Sequence, residues 1–396
     1  TVDPDAGATH TYQLLPGSAP GFAVSPAGVV TRTGAMAENS TYLLNIRTTD
    51  NTGLSFDETF TIRTLANGVA NVFTGTSGDD IAYGLTGADN LNGGAGDDIL
   101  FGQDGADTLI GDVGDDSLFG GAGTDTLVGG TGNDLLVGGT GADGLSGSTG
   151  NDTIRYTIGD GVDTVIDGGA DTDTVEILAN GGTQTLDVTY NGTAITNFEG
   201  NTALNSIERF TANLGAGIDT LIYTSAASIT VDLTAGTASG FASIAGIENV
   251  TGGAGSDTLI GVAGTTNALT GGGGNDTFTV HDTLDTVSEA AGGGTDLVQF
   301  SSTTAGATYT IADADVENLT LLGTADLNGT GNAAANVLIG NTGANTLNGL
   351  GGNDTIQAGA GNDTINYAIG GGIDTVDGGD DIDTLNITDG SNNNTL

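Results

Sequence analysis

Nine aspartates stand at unbroken nine-residue intervals: Asp80, Asp89, Asp98, Asp107, Asp116, Asp125, Asp134, Asp143 and Asp152. The stretch that carries them divides without a gap into GTSGDDIAY, GLTGADNLN, GGAGDDILF, GQDGADTLI, GDVGDDSLF, GGAGTDTLV, GGTGNDLLV, GGTGADGLS and GSTGNDTIR, residues 75–155. Positions 1 and 4 are Gly in every copy, and position 6 is always Asp. Position 8 is Leu or Ile except at Ala82. Glycine at positions 1, 2 and 4 permits positive φ and close backbone approach, so the turn exposes carbonyl oxygens and position 6 adds a carboxylate. Six to eight hard oxygens without nitrogen or sulfur are what Ca²⁺ prefers, whereas Mg²⁺ demands a stricter octahedron. Close pairs such as Asp79/Asp80 and Asp97/Asp98 could suggest acid–base catalysis, but their period assigns them to the cation columns.

The pattern returns in shorter stretches. One unit holds Asp257, a ten-residue variant has Asn267 at the acidic position, and a third holds Asp276. Four more units, residues 331–366, carry Asn336, Asn345, Asp354 and Asp363. Asp257, Asp276, Asp354 and Asp363 therefore join the candidate metal ligands. The Asn units offer a neutral amide and are expected to bind weakly or not at all. Between these blocks Glu208, Glu248 and Glu317 each stand in an apolar-Glu-x-apolar element. These could ligate calcium, but capping or flanking a strand is the preferred reading.

Composition supports the cation reading by exclusion. Acidic residues number 50 (42 Asp, 8 Glu) against five Arg and no Lys, a formal charge of −45. Nucleic acid and anionic lipid need Lys and Arg, so neither is an expected partner. No run of about 20 apolar residues predicts membrane insertion. The absence of Cys removes disulfides, thiol catalysis and thiolate zinc sites. The two histidines, His10 and His281, are isolated and form no His-Glu-x-x-His zinc motif, and no Gly-x-Ser-x-Gly elbow is present. So acidic a chain suggests either disorder or a set of cation ligands. A hydrophobic content of 37% and the periodic placement of Asp favour ligands.

The elements that must position these carboxylates are short strands. Each nonapeptide reads as a six-residue turn and a three-residue strand, with position 8 pointing inward as a Leu/Ile ladder. The fold class expected is all-β, a parallel β-roll or β-helix with linking β-solenoid coils. Residues 1–68 differ: they hold all four Pro and three of the five Arg, and alternate like an antiparallel β-sandwich. Six segments follow: 1–68 as that module, 69–177 as a first roll with cap, 178–245 as a linking segment, 246–280 as a short second roll, 281–328 as another linking segment, and 329–396 as a third roll. Residues 151–177 also read almost identically to 362–387, with one deletion. The chain is expected to extend beyond both ends of this sequence, since it starts without Met and stops within a repeated segment.

The Gly-Gly-x-Gly-x-Asp-x-apolar-x units resemble the calcium-binding repeats of the RTX (repeats-in-toxin) family, over about 75–177 and 246–387. The resemblance implies a right-handed roll with two nonapeptides per coil. Turns two repeats apart then stack about 4.8 Å apart and hold Ca²⁺ between them, giving seven stacked pairs, hence about seven ions, in the first roll. It also implies bacterial type I secretion and calcium-driven folding outside the cell. The N-terminal module weakly resembles a cadherin-like or immunoglobulin-like domain, with Asp3, Asp5 and Asp50 near the positions of cadherin-like calcium acids, where a surface-turn role fits equally. The expected function is that of a secreted calcium-binding structural protein of the cell surface: surface layer, filament or adhesin. Its rolls would self-associate or contact cell-surface glycan through polar Thr, Asn and Ser on outward strand positions. The competing reading is a non-catalytic calcium-binding region of a larger secreted enzyme or toxin.

Overall fold

The computed structural model describes residues 10–34, 36–51 and 54–389, which form strands and turns with no helix. Asp3 and Asp5 lie outside these residues. The chain separates into two compact units, Thr1–Leu178 with Asn201–Arg209, and Ala179–Gly200 with Phe210–Leu396.

In the first unit two stacks of parallel strands follow the nonapeptides. One consists of Asp80–Thr86, Ile99–Gly105, Ser117–Gly123, Leu135–Gly141, Thr153–Thr157 and Thr174–Leu178; the other runs from Val72–Thr74 through Asn90–Ala95, Thr108–Val113, Thr126–Thr131 and Gly144–Thr149 to Val165–Ala170 and Leu204–Asn205. Partners within the repeats lie eighteen residues apart, as Leu100, Leu118 and Leu136 do in one stack and Leu91, Leu109 and Leu127 in the other. Two nonapeptides therefore make one coil. The strands are longer than the three residues expected, because the glycine-rich positions also pair, as in Gly121 with Gln103 and Gly123 with Gly105.

Position 8 supplies the core, with Leu91, Leu100, Leu109, Leu118, Leu127 and Leu136 wholly buried. Glycine serves two different purposes in the turn. At position 4 it adopts positive φ, 114° at Gly96 and 130° at Gly132, where a Cβ is disfavoured. At position 1 the sequence-based expectation of positive φ does not hold. There a Cβ at Gly93 or Gly129 would run into the carboxylate of Asp98 or Asp134, so glycine leaves room for the side chain five residues on.

The N-terminal strands are antiparallel, as expected: Ser40–Thr49 pairs with both Thr11–Leu14 and Ser55–Thr64. They are joined to the roll, since Ser55–Thr64 continues in parallel into Asp80–Thr86. Leu44, Ile46 and Ile62 form a small core against Ile81 and Tyr83 of the first coil. The exposed edge of that coil is thereby covered rather than left to pair with another chain.

In the second unit the strands Thr230–Asp232, Thr258–Ile260, Thr277–Val280, Leu297–Phe300, Asn318–Leu321, Val337–Ile339, Thr355–Gln357 and Thr375–Asp377 form one parallel stack. Its buried ladder is Val231, Leu259, Phe278, Val298, Leu319, Leu338 and Ile356. Coils thus continue through residues 281–328.

The polar outer face expected of the rolls is only partly present on this stack, where Thr258, Thr277, Thr279, Gln299, Thr320 and Thr355 are interspersed with Ile260, Leu297, Val337 and the exposed Ile339. It fails on the first stack of the first unit. There Tyr83, Phe101 and Phe119 stack face to face with centroids 4.7 and 4.9 Å apart, half-buried beside Ile81, Ile99, Leu135 and Val137. The reason is the eighteen-residue period: position 9 is aromatic only in alternate repeats, so the aromatic side chains collect on one sheet.

Candidate metal centres

All thirteen aspartates singled out by sequence are buried, with 0–2% of their surface exposed. The ladder brings them into columns. In the first unit the N–H of Asp80 donates to Oδ1 of Asp98 at 2.6 Å, and the same bond repeats through Asp116, Asp134, Asp152 and Asp173 at 2.7–2.8 Å. The other column runs through Asp89, Asp107, Asp125, Asp143 and Asp163, with bonds of 2.7–3.1 Å. Every such bond uses one carboxylate oxygen only. The second oxygen, Oδ2, is buried without a partner at Asp89, Asp98, Asp107, Asp116, Asp125, Asp134, Asp143, Asp152 and Asp173, and again at Asp276, Asp354 and Asp363. A buried carboxylate oxygen left unpaired is costly. Repetition of the same unpartnered carboxylate oxygen on successive coils calls for a repeated positive ligand, and oxygen donors fit Ca²⁺.

Without a cation, burial raises Asp98, Asp107, Asp116, Asp125, Asp134, Asp143 and Asp152. Asp98 and Asp134 are pushed up to about 7 and Asp116, Asp125 and Asp152 to about 6, mainly by desolvation, opposed by the backbone N–H each accepts and reinforced by neighbouring carboxylates.

Asp80 and Asp257 differ from the rest. Oδ2 of Asp80 accepts the N–H of Thr76 at 2.7 Å, and Oδ2 of Asp257 that of Gly253 at 2.9 Å. These two need a cation least.

The Asn positions show what a neutral side chain does in the same turn. Oδ1 of Asn267, Asn336 and Asn345 accepts the N–H of Val262, Asn332 and Asn341 at 2.7–2.8 Å. Their Nδ2 groups donate to carbonyls of the preceding coil, at Glu248 (2.7 Å), Glu317 (3.2 Å) and Leu327 (2.8 Å). A carboxylate has no hydrogen with which to make that second bond. Asn332 and Asn341 repeat the device at position 2, each Nδ2 bonding two carbonyls. The signal in sequence was the paired Asn of GNAAAN and GNTGAN.

Sequence spacing missed the columns where coils lengthen. Asp163, Asp173, Asp219, Asp285 and Asp296 are buried at equivalent places, twenty or more residues from a neighbour in most cases. Asp374 and Asp383 accept the N–H groups of Asp354 and Asp363, both at 3.0 Å, matching Asp163 and Asp173 in the near-identical segment. All seven precede Thr or Leu and then an apolar residue, a tripeptide signal independent of spacing. Glu208, Glu248 and Glu317 take the capping role preferred for them, Oε2 accepting the N–H of Asp173, Asp219 and Asp296 at 2.8–2.9 Å.

Asp79 and Asp97 do not belong to the buried columns. With Asp115 they form a second, exposed ladder running the other way, in which Asp79 accepts the N–H of Asp97 at 2.8 Å and Asp97 that of Asp115 at 2.9 Å. Position 5 is Asp or Asn in alternate repeats and Ala or Thr in the others, so only one side of the roll carries it.

The buried and exposed acids can be told apart by substitution. Asp116→Asn removes a charge from a buried column and should weaken calcium binding by about tenfold, near 1.4 kcal/mol, in a calcium titration followed by circular dichroism. Asp112→Asn should leave the midpoint unchanged: Asp112 is exposed, at φ 79°, a conformation Asn tolerates. Equal shifts in the two variants would refute the column assignment.

A family model described as the RTX calcium-binding nonapeptide repeat (4 copies) matches residues 67–100, 74–109, 101–136, 119–154, 128–165, 244–278 and 330–365. No curated protein matches the chain.

Proposed function

With RTX calcium-binding repeats in three stretches of an all-β solenoid as the premise, we propose that this chain is a secreted structural protein of the bacterial cell surface. Its role would be that of a surface layer, filament or adhesin whose coils fold on meeting extracellular Ca²⁺. The observation that carries the calcium step is the unpartnered Oδ2 on successive buried aspartates. Extracellular calcium modules bind at roughly 10⁻⁴–10⁻³ M, so coils built this way stay open in a calcium-poor cytoplasm and close outside. RTX repeats are typical of type I secreted proteins, which supports export in that open state. Phe101 and Phe119, the part of the aromatic stack beyond Tyr83, which the N-terminal core already packs against, support lateral association, because exposed apolar patches on a sheet often mark a partner's site.

Electron microscopy and light scattering of the protein in 2 mM Ca²⁺ test the assembly reading. Lattices, filaments or calcium-dependent attachment to cells are expected. A monodisperse monomer that binds no cell surface would refute it, and hydrolysis in a zymogram would favour the region of a larger enzyme instead.

A further inference from the structure

The second unit contains a carboxylate outside every nonapeptide that points where a cation would sit. Glu289 lies thirteen residues after Asp276 and seven before Asp296. One oxygen from each of the three lies within 4.8 Å of the others. That spacing is on the scale of oxygens sharing one Ca²⁺ at about 2.3–2.6 Å. Asp276 and Asp296 are 1% and 0% exposed, and their Oδ2 atoms are buried without partners, as is Oε1 of Glu289. The other Glu289 oxygen is fixed, accepting the N–H of Gly272 at 3.1 Å, while the Glu289 N–H donates to Asp313 at 3.0 Å. Gly271 keeps the space open, because a Cβ there would collide with both Glu289 and Asp276. In the repeat columns each coil brings one buried aspartate to a stacked pair; here a third carboxylate enters from the side.

We propose that Asp276, Glu289 and Asp296 form a separate divalent-cation site, three-carboxylate and selective for Ca²⁺, that binds more tightly than the two-aspartate steps. It goes beyond the calcium reading of the nonapeptides, since Glu289 belongs to none of them. Three converging negative charges attract a cation more strongly than two, and calcium affinity follows ligand charge count. The site fills first as calcium rises and holds this part of the second unit closed before the repeat columns load.

Equilibrium dialysis of the full chain against ⁴⁵Ca²⁺ tests it, with Glu289→Gln, Glu289→Asp and Asp98→Asn alongside. The intact chain should show one ion of highest affinity ahead of a weaker class. Glu289→Gln should weaken that ion by about tenfold or more, the scale of losing a supporting group around a metal. Glu289→Asp, one methylene too short, should do the same. Asp98→Asn should lower only the weaker class; if it changes nothing, the repeat reading fails while the Glu289 site stands. A Glu289→Gln isotherm superimposable on the parent would overturn the proposal, because Glu289 would then carry a proton rather than share an ion. Loss of every class in both Glu289 variants would also overturn it, since Glu289 would then serve folding alone.

Discussion

In EGTA at pH 7.5 the far-ultraviolet circular dichroism of this chain should be that of a largely unfolded polypeptide, and millimolar Ca²⁺ should restore the β spectrum. The expectation rests on what the coils are made of. Each nonapeptide of the first roll contributes one buried apolar side chain, Leu109 or Leu118 for example, and one buried aspartate. Without a counter-charge, successive aspartates are stacked like charges in a site shut off from water. A ligand at a hundredfold its Kd adds about 2.7 kcal/mol per site. Several such sites together exceed the ~5–15 kcal/mol that separates folded from unfolded in ordinary domains. Folding and ion binding are then one event. Sodium chloride at 0.5 M screens exposed charges but should not restore the fold, because the column carboxylates are buried. A spectrum unchanged by EGTA would refute this coupling.

The second large effect is an inversion with pH. In the calcium-free fold burial holds Asp98, Asp116, Asp125, Asp134 and Asp152 above their unfolded value, pushing Asp98 and Asp134 up to about 7, against about 3.9 in an unfolded chain. Between those limits the folded state holds protons that the unfolded state has released. Stability therefore falls as pH rises through this window, and is fully present only below about pH 4. In EGTA the chain should recover β structure on acidification from pH 7.5 to pH 5, protons standing in for calcium. With calcium present the sign reverses, because protons and Ca²⁺ compete for the same oxygens: the calcium midpoint should rise on the order of tenfold between pH 7.5 and pH 6. Calcium titrations by circular dichroism at the two pH values measure the shift. A midpoint independent of pH would show that the columns are not the sites.

The nonapeptide columns, the leucine ladder and the two-repeat coil were legible in sequence because a constant spacing of nine becomes a constant stacking of eighteen. Legibility failed where spacing changed. Asp163 and Asp173 follow Asp143 and Asp152 by twenty and twenty-one residues, since extra residues loop out of the turn while the Asp keeps its bond to the coil before. Glu289 was invisible because its chain neighbours carry no period; only folding brings it to Asp276. The apolar strip of Tyr83, Phe101 and Phe119 was hidden by reading nine residues at a time, when the physical unit is eighteen and its two halves face different surroundings. The N-terminal strands alternate like a sandwich, and nothing local to them told that Ser55–Thr64 would add directly to the first coil.

The bonds within the columns all point one way. Each Asp N–H finds its acceptor on the next coil along the chain, Asp98 on Asp116 and Asp116 on Asp134. A stretch of eighteen residues is thus finished only by the eighteen that follow it, and the fold has the polarity of a queue in which every member is held by the one behind. Such a queue cannot stop at an arbitrary place without stranding a buried donor. Glu208 and Glu317, with a longer arm than aspartate, stand where the coil spacing is interrupted or a column hands over to amides, and so mark the points at which the line can be closed.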